Sequence, residues 1–216
     1  MSFALFVGPS GIGKTYAVRE WLLPMLLTQP RTISDLNPDR FNAALIYDPR
    51  TNESPDGQFP GERFADVAAW RRAERRPRVA CLDAPSPESM AEAAVELGRL
   101  VLVMDEINYA WPNDRKPGPA AVQLASAGRH AGCMVVGGCR RVMELHNSVR
   151  ANITVAYFGN PSDGNDRDDV RRVTSVDPAE LPELAERGTF IEWHRQSGRR
   201  SLIRVTERRK ITIRQL

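Results

Sequence analysis

Cysteine, histidine and aromatic residues are all scarce in this sequence, and so are long apolar runs. The 216 residues include three cysteines and three histidines, and aromatic side chains make up 7%. Cys81, Cys133 and Cys139 form no C-x-x-C pair, their count is odd, and each lies in or beside an apolar, strand-like segment. That pattern argues against a disulfide framework or a zinc site and for reduced core thiols in a cytosolic setting. His130, His146 and His194 have no second His or Cys at ligand spacing, so none is read as a metal ligand. Trp21 to Leu27 is interrupted by Pro24 and falls far short of a membrane span, and Met1 to Val7 has no basic start and runs into Gly8. No membrane span and no signal segment are expected. There is no internal repeat and no low-complexity tract.

With 42% hydrophobic and 26% charged residues, the chain suits one α/β domain over 1–216, with a core to about 175 and a C-terminal hairpin extension over about 176–216. The net charge is only +3, but the arginines are clustered in Arg71 to Arg78, Arg199 to Arg204 and Arg208 to Lys210, runs that suit either a phosphate backbone or a solvated face.

Apolar segments alternate with helical ones. Strands are expected at Phe3 to Val7, Ala43 to Tyr47, Val79 to Leu82, Leu100 to Met104, Cys133 to Gly137 and Ile153 to Phe158. Helices are expected at Lys14 to Leu27, Phe64 to Arg76, from Ser86-Pro87-Glu88 to Leu97, Ala120 to Gly128 and Val142 to Val149. Residues 50 to 61 read as a loop, and Asp163 to Asp169 as a polar loop leading into a short helix. Phe190 to His194 and Ser201 to Val205 flank a hairpin turn at Gln196-Ser197-Gly198. Strands that are apolar throughout and separated by helices point to a mainly parallel sheet covered on both faces, with the hairpin as an antiparallel edge.

Residues 8 to 15 read G-P-S-G-I-G-K-T, a complete GxxxxGK[ST] phosphate loop between a strand and a helix. The glycines Gly8, Gly11 and Gly13 let backbone N–H groups of the Gly8, Pro9, Ser10, Gly11, Ile12, Gly13, Lys14, Thr15 and Tyr16 segment approach phosphate oxygens, at a helix N-terminus that favours anions. Lys14 would reach the β- and γ-phosphates of ATP, and the Thr15 hydroxyl would take a Mg²⁺ position. The run L-V-L-V-M-D-E-I-N over 100–108 then delivers two carboxylates to the edge of the sheet where ligands bind. Asp105 would hold Mg²⁺, directly or through water, and Glu106 would act as general base on the attacking water. The loop from Tyr109 to Pro119 combines Trp111 with Arg115 and Lys116. It reads either as an aromatic and basic grip on nucleic acid or as a surface loop over a partly buried tryptophan.

The stretch S-A-G-R-H-A-G-C-M-V-V-G-G-C-R-R over 126–141, followed by L-H-N-S-V-R-A-N-I-T-V-A-Y-F over 145–158, resembles the HerA/FtsK superfamily of DNA-pumping ATPases, and in particular the genome-packaging ATPases of icosahedral viruses with an internal membrane. Asp48-Pro49 with Glu53 looks like that family's DPxxE turn, and the resemblance runs over about residues 3 to 175. It implies a RecA-like, additional-strand P-loop ATPase that assembles into a ring, expected to be a hexamer. Such a ring would move double-stranded DNA into a capsid, docked on a capsid vertex protein, in the host cytoplasm or associated with the virion. Arg129, in the G-R-H step, is the candidate arginine finger, with Arg140, Arg141 and Arg150 competing for that role. Where the family places a Gln or Asn that senses the γ-phosphate, this chain has Cys139, with Asn147, Asn152 or Arg140 as substitutes. The competing readings are a zonula-occludens-toxin-like assembly or secretion ATPase, a small-molecule phosphotransferase and a non-hydrolysing nucleotide switch. Phosphotransferase chemistry needs an arginine-bearing lid, and the 50–61 loop offers only Arg50.

Overall fold

In the computed structural model, which describes residues 2–28, 41–48, 57–128, 130–206 and 209–216, every strand joins one sheet. The chain enters through β1 (Ser2–Val7) and a loop, then a helical run made of α1 (Lys14–Ala17), a π-helical turn (Val18–Leu22) and α2 (Leu23–Thr28). Next come β2 (Ala43–Tyr47), β3 (Glu62–Phe64), α3 (Val67–Arg72), β4 (Val79–Leu82), α4 (Pro87–Leu97) and β5 (Leu100–Met104). After these follow α5 (Ile107–Ala110), α6 (Pro119–Ala127), β6 (Met134–Cys139), α7 (Asn147–Arg150), β7 (Val155–Phe158) and α8 (Gly164–Thr174). The chain closes with β8 (Thr189–His194), β9 (Arg200–Thr206) and β10 (Arg209–Gln215).

The ten strands lie in the order β10-β9-β8-β7-β1-β6-β5-β2-β4-β3. From β3 to β7 all pairs are parallel, and from β7 to β10 all are antiparallel. β6 therefore lies between β1 and β5, which is the additional-strand arrangement. Alternation along β1 shows how the two faces are used. Phe3, Leu5 and Val7 pack into a core covered by α3 to α8, while Ala4 and Phe6 face the helical run after β1. On that second face Phe6 stacks on Tyr157 at 4.5 Å between ring centroids, and Phe190 and Trp21 meet this pair edge-on.

Several expected elements change at their ends for local reasons. The helix expected from Phe64 to Arg76 is shorter: Glu62–Phe64 pairs with β4 as an edge strand, and Asp66 caps the helix by accepting from the Ala69 N–H at 2.7 Å. The expected loop over Asp163 to Asp169 is already helix α8, because Asp163 accepts from the Asp166 N–H at 2.9 Å and starts it at Gly164. The segment Val142 to Val149 is not one helix. A 3₁₀ turn at Val142–Glu144 gives way to extended Leu145, which bridges to Pro112, and α7 starts only at Asn147. Of the loop expected over 50–61, residues 57–60 form bends and extended chain, and 50–56 lie outside the described residues. Pro24 can neither donate to the carbonyl four residues back nor fit against it, and the helix accommodates it with the preceding π-helical turn.

The C-terminal hairpin has a third strand, β10, in which Ile211 and Ile213 alternate with polar residues but stay more than a third exposed. A buried charge holds it. Glu192, 3% exposed on β8, accepts from Lys210 Nζ of β10 at 2.5 Å and lies 3.5 Å from His194 Nε2. The Lys210 ammonium also lies 5.8 Å from the centre of the Trp21 ring, which ties β10 to the helical run. Burial would push the Glu192 carboxyl up, but His194 and Lys210 outweigh it and hold it down at about 2.

A carboxyl lowered on folding stabilises the fold above its unfolded value and loses that contribution as pH falls through its folded one. The wild-type protein should therefore lose on the order of 3 kcal/mol between about pH 4.5 and pH 2 from this group. Denaturant unfolding followed across that range checks it, and Glu192→Gln should flatten that part of the profile.

Candidate functional site

The phosphate loop is held from two sides of the sheet. The Gly8 N–H donates to the Cys139 carbonyl of β6 at 3.0 Å, and the Gly188 N–H, just before β8, donates to the Ile12 carbonyl at 2.9 Å. Gly13 caps α1 at φ 99°, in the left-handed region, and a Cβ there would meet the Gly188 backbone nitrogen at 3.2 Å. Ser10 and Gly11 are exposed at the tip of the loop, Pro9, Ile12 and Tyr16 are partly covered, and Ile12 and Tyr16 pack against the helix-face core. Lys14 is 7% exposed, and its ammonium donates to the Gly8 and Pro9 carbonyls at 2.7 and 3.0 Å.

β5 is buried at every position, and Asp105 follows it directly. The Thr15 hydroxyl donates to Asp105 Oδ2 at 2.5 Å, joining the phosphate loop to the acidic strand across β6. This is possible because β6 is glycine where it passes between them. A Cβ on Gly138 would lie 2.8 Å from Asp105 Oδ1 and 3.7 Å from Lys14 Cε. Gly138 is the residue that allows this close approach, whereas a Cβ on Gly137 would meet the Ile107 side chain. Burial pushes the Asp105 carboxyl above its ordinary range, against the Thr15 hydroxyl and the Lys14 charge. Asp48 adds to the rise.

Glu106 has φ 57° and ψ 53°, left-handed and non-glycine, and stands at the start of α5. A conformation of this kind costs about 1–3 kcal/mol and persists only where the surroundings impose it. Burial raises the Glu106 carboxyl as well, with Asp105 and Glu144 adding to the rise and Lys14 and Arg140 opposing it. A hydroxyl and a carboxylate in contact, with a second carboxylate beside them, are hard oxygen donors of the kind Mg²⁺ takes, so the residues present fit that ion.

The other residues singled out in the sequence divide clearly. Asp48, 2% exposed, braces the edge of β2 by accepting from the Gln58 and Phe59 N–H groups and from Arg63, while Pro49 and Glu53 lie outside the described residues. Arg129 also lies outside them. Cys139 is fully buried with its side chain in the core, and burial pushes its thiol well up, so it brings no polar side chain to the site. Asn147 accepts from Arg150, and Asn152 donates to the Ser148 carbonyl, so both are spent on local bonds around α7. Arg141 pairs with Asp163 at 2.6 Å and Asp166 at 2.5 Å. Trp111 is not an exposed stacking platform. It is 3% exposed, and its carbonyl accepts from the His146 N–H. Tyr109, 78% exposed, is the aromatic residue that the loop does present, with Arg115 and Lys116 exposed beyond it. The basic runs are partly committed to structural pairs: Arg71 with Glu96, Arg204 with Glu186 and Lys210 with Glu192.

A scan against protein-family models and a search of curated proteins both find no match. Solved structures do match. The genome packaging NTPase B204 of Sulfolobus turreted icosahedral virus 2, in complex with ATPγS, superposes with TM-score 0.71 at 18% identity, covering 93% of this chain and 95% of that one. The conjugation coupling protein TcpA of pCW3, also with ATPγS, gives TM-score 0.59 at 14% identity, covering 100% of this chain and 60% of that one. The cytoplasmic domain of the type VII secretion ATPase EccC of Thermomonospora curvata gives TM-score 0.55 at 16% identity, covering 90% of this chain and 24% of that one. These likenesses, with β6 between the strand of the phosphate loop and the strand of Asp105, show that the chain has the additional-strand P-loop NTPase fold.

Proposed function

We propose that this chain is an ATPase that assembles into a ring and drives double-stranded DNA into a preformed viral capsid. The observation that carries the ATPase reading is the 2.5 Å contact between Thr15 and Asp105, with Lys14 buried beside it and Glu106 held next in line. The packaging reading is supported by the match to B204 over nearly the full length of both chains, and by the order of motifs along the sequence.

In this reading the Lys14 ammonium exchanges the Gly8 and Pro9 carbonyls for the β- and γ-phosphate oxygens of ATP. Thr15 and Asp105 would hold Mg²⁺, which neutralises charge on the phosphates. Glu106 accepts the proton of the attacking water, and burial, by raising its carboxyl, makes its ionised form a stronger base than a solvated carboxylate. Asp105 and Glu106 thus have separate tasks, set by one bond to Thr15. Tyr109, Arg115 and Lys116 would contact the DNA backbone, Arg129 would complete a neighbour's site, and the ring would dock on a vertex protein of the capsid in the host cytoplasm.

Lys14→Ala should lose tight ATP binding together with turnover, whereas Glu106→Gln should bind ATP and retain it unhydrolysed. Nucleotide binding and phosphate release measured on both variants distinguish the two roles, and wild-type turnover in either removes that role. Gly138→Ala, which brings a methyl group onto Asp105, should lower turnover by roughly 10²-fold with little change in thermal midpoint. Duplex DNA of any sequence should stimulate turnover, and that stimulation should fall steeply between about 50 and about 200 mM salt. Duplex DNA that neither binds nor stimulates at the lower salt would favour the assembly or secretion reading.

A further inference from the structure

We propose that Arg140 reads the γ-phosphate of the nucleotide bound to its own subunit, in place of the amide side chain that β6 lacks. The assignment rests on the ATPase reading above and on what β6 can present to the site. Gly138 has no side chain, and the space is filled by Asp105 and Lys14. Cys139 turns into the core. Arg140 is the next residue, exposed, at the carboxyl end of the strand. The Cys139 carbonyl accepts the Gly8 N–H, so the residue after it stands beside the first turn of the phosphate loop. Arg140 and Gly8 also line one groove, which Arg141 and residues of α8 line as well.

The competing arginines are engaged elsewhere. Arg141 is fixed on the first turn of α8 by two carboxylates, and Arg150 bonds Met143 and Asn147. The Arg140 guanidinium makes no hydrogen bond or ion pair with another described residue, although Glu106 is near enough to feel its charge. A planar guanidinium with several N–H donors suits the terminal phosphate, which has three oxygens and most of the charge. ADP offers no group at that position, so such an arginine distinguishes ATP from ADP.

Binding of ATPγS and of ADP to the wild-type protein, Arg140→Ala and Arg140→Lys tests this, with Lys14→Ala as reference. Arg140→Ala should weaken ATPγS roughly 10- to 100-fold and leave ADP unchanged, and Arg140→Lys should recover part of the loss. Equal weakening of both nucleotides, or weakening of neither, would overturn the assignment. If the wild-type protein binds ATPγS and Lys14→Ala does not, that failure belongs to Arg140 alone. If the wild-type protein binds neither nucleotide, the ATPase reading itself fails. Mixing Arg140→Ala with Lys14→Ala subunits separates the two possible subunit arrangements. An arginine acting within its own subunit gives no recovery of turnover, because every site then lacks one of the two residues. Recovered turnover would overturn the own-subunit assignment and place Arg140 across an interface.

Discussion

The hydrogen bond from Thr15 to Asp105 spans a whole strand. Its donor lies in the first turn of α1, its acceptor directly follows β5, and β6 passes between β1 and β5. The contact forms only if β6 has no side chain at Gly138, if β5 is buried throughout so that its end is fixed, and if α1 begins at Gly13. Each condition is met by a different segment, so the geometry of the site depends on the register of three parallel strands. A one-residue slip in β6 would place either Gly137 or the Cys139 side chain where Gly138 now admits the carboxylate.

Much of this was legible in the residues. The phosphate loop has a spacing that few sequences share, and the apolar runs of β1, β2, β4 and β5 are buried on both faces and so announce themselves without alternation. The errors fall where short-range chemistry overrides pattern. Phe64 fits the period of a helix, but Asp66 caps the helix later and leaves Glu62–Phe64 to pair with β4. Asp163 to Asp169 is polar enough to read as loop, yet it contains its own cap. β10 alternates Ile211 and Ile213 with polar residues, yet these stay partly exposed, and beyond its ladder with β9 the strand is tied down by a charge buried eighteen positions earlier in the chain. No local window of sequence contains both halves of that pair.

The site was legible where one residue type has one use, and obscure where context decides. Lys14 and Asp105 belong to the first kind. Trp111 belongs to the second: beside Arg115 and Lys116 it suggests stacking, but the bridge between Pro112 and Leu145 draws it into the core. That bridge also joins the loop after Glu106 to the segment after Arg140, with the Asn113 N–H donating to the Glu144 carbonyl at 2.8 Å. The loop carrying Tyr109, Arg115 and Lys116 and the end of β6 thus form one stitched unit at the carboxyl edge of the sheet.

The π-helical turn at Val18–Leu22 amounts to one residue more than the α-helical path between Ala17 and Leu23 would hold. Shortening this stretch by one residue would restore the tighter α-helical pitch while leaving the apolar faces before and after it aligned, since each flank keeps its own period. It would also bring the Pro24 ring against a carbonyl that the wider turn now keeps clear.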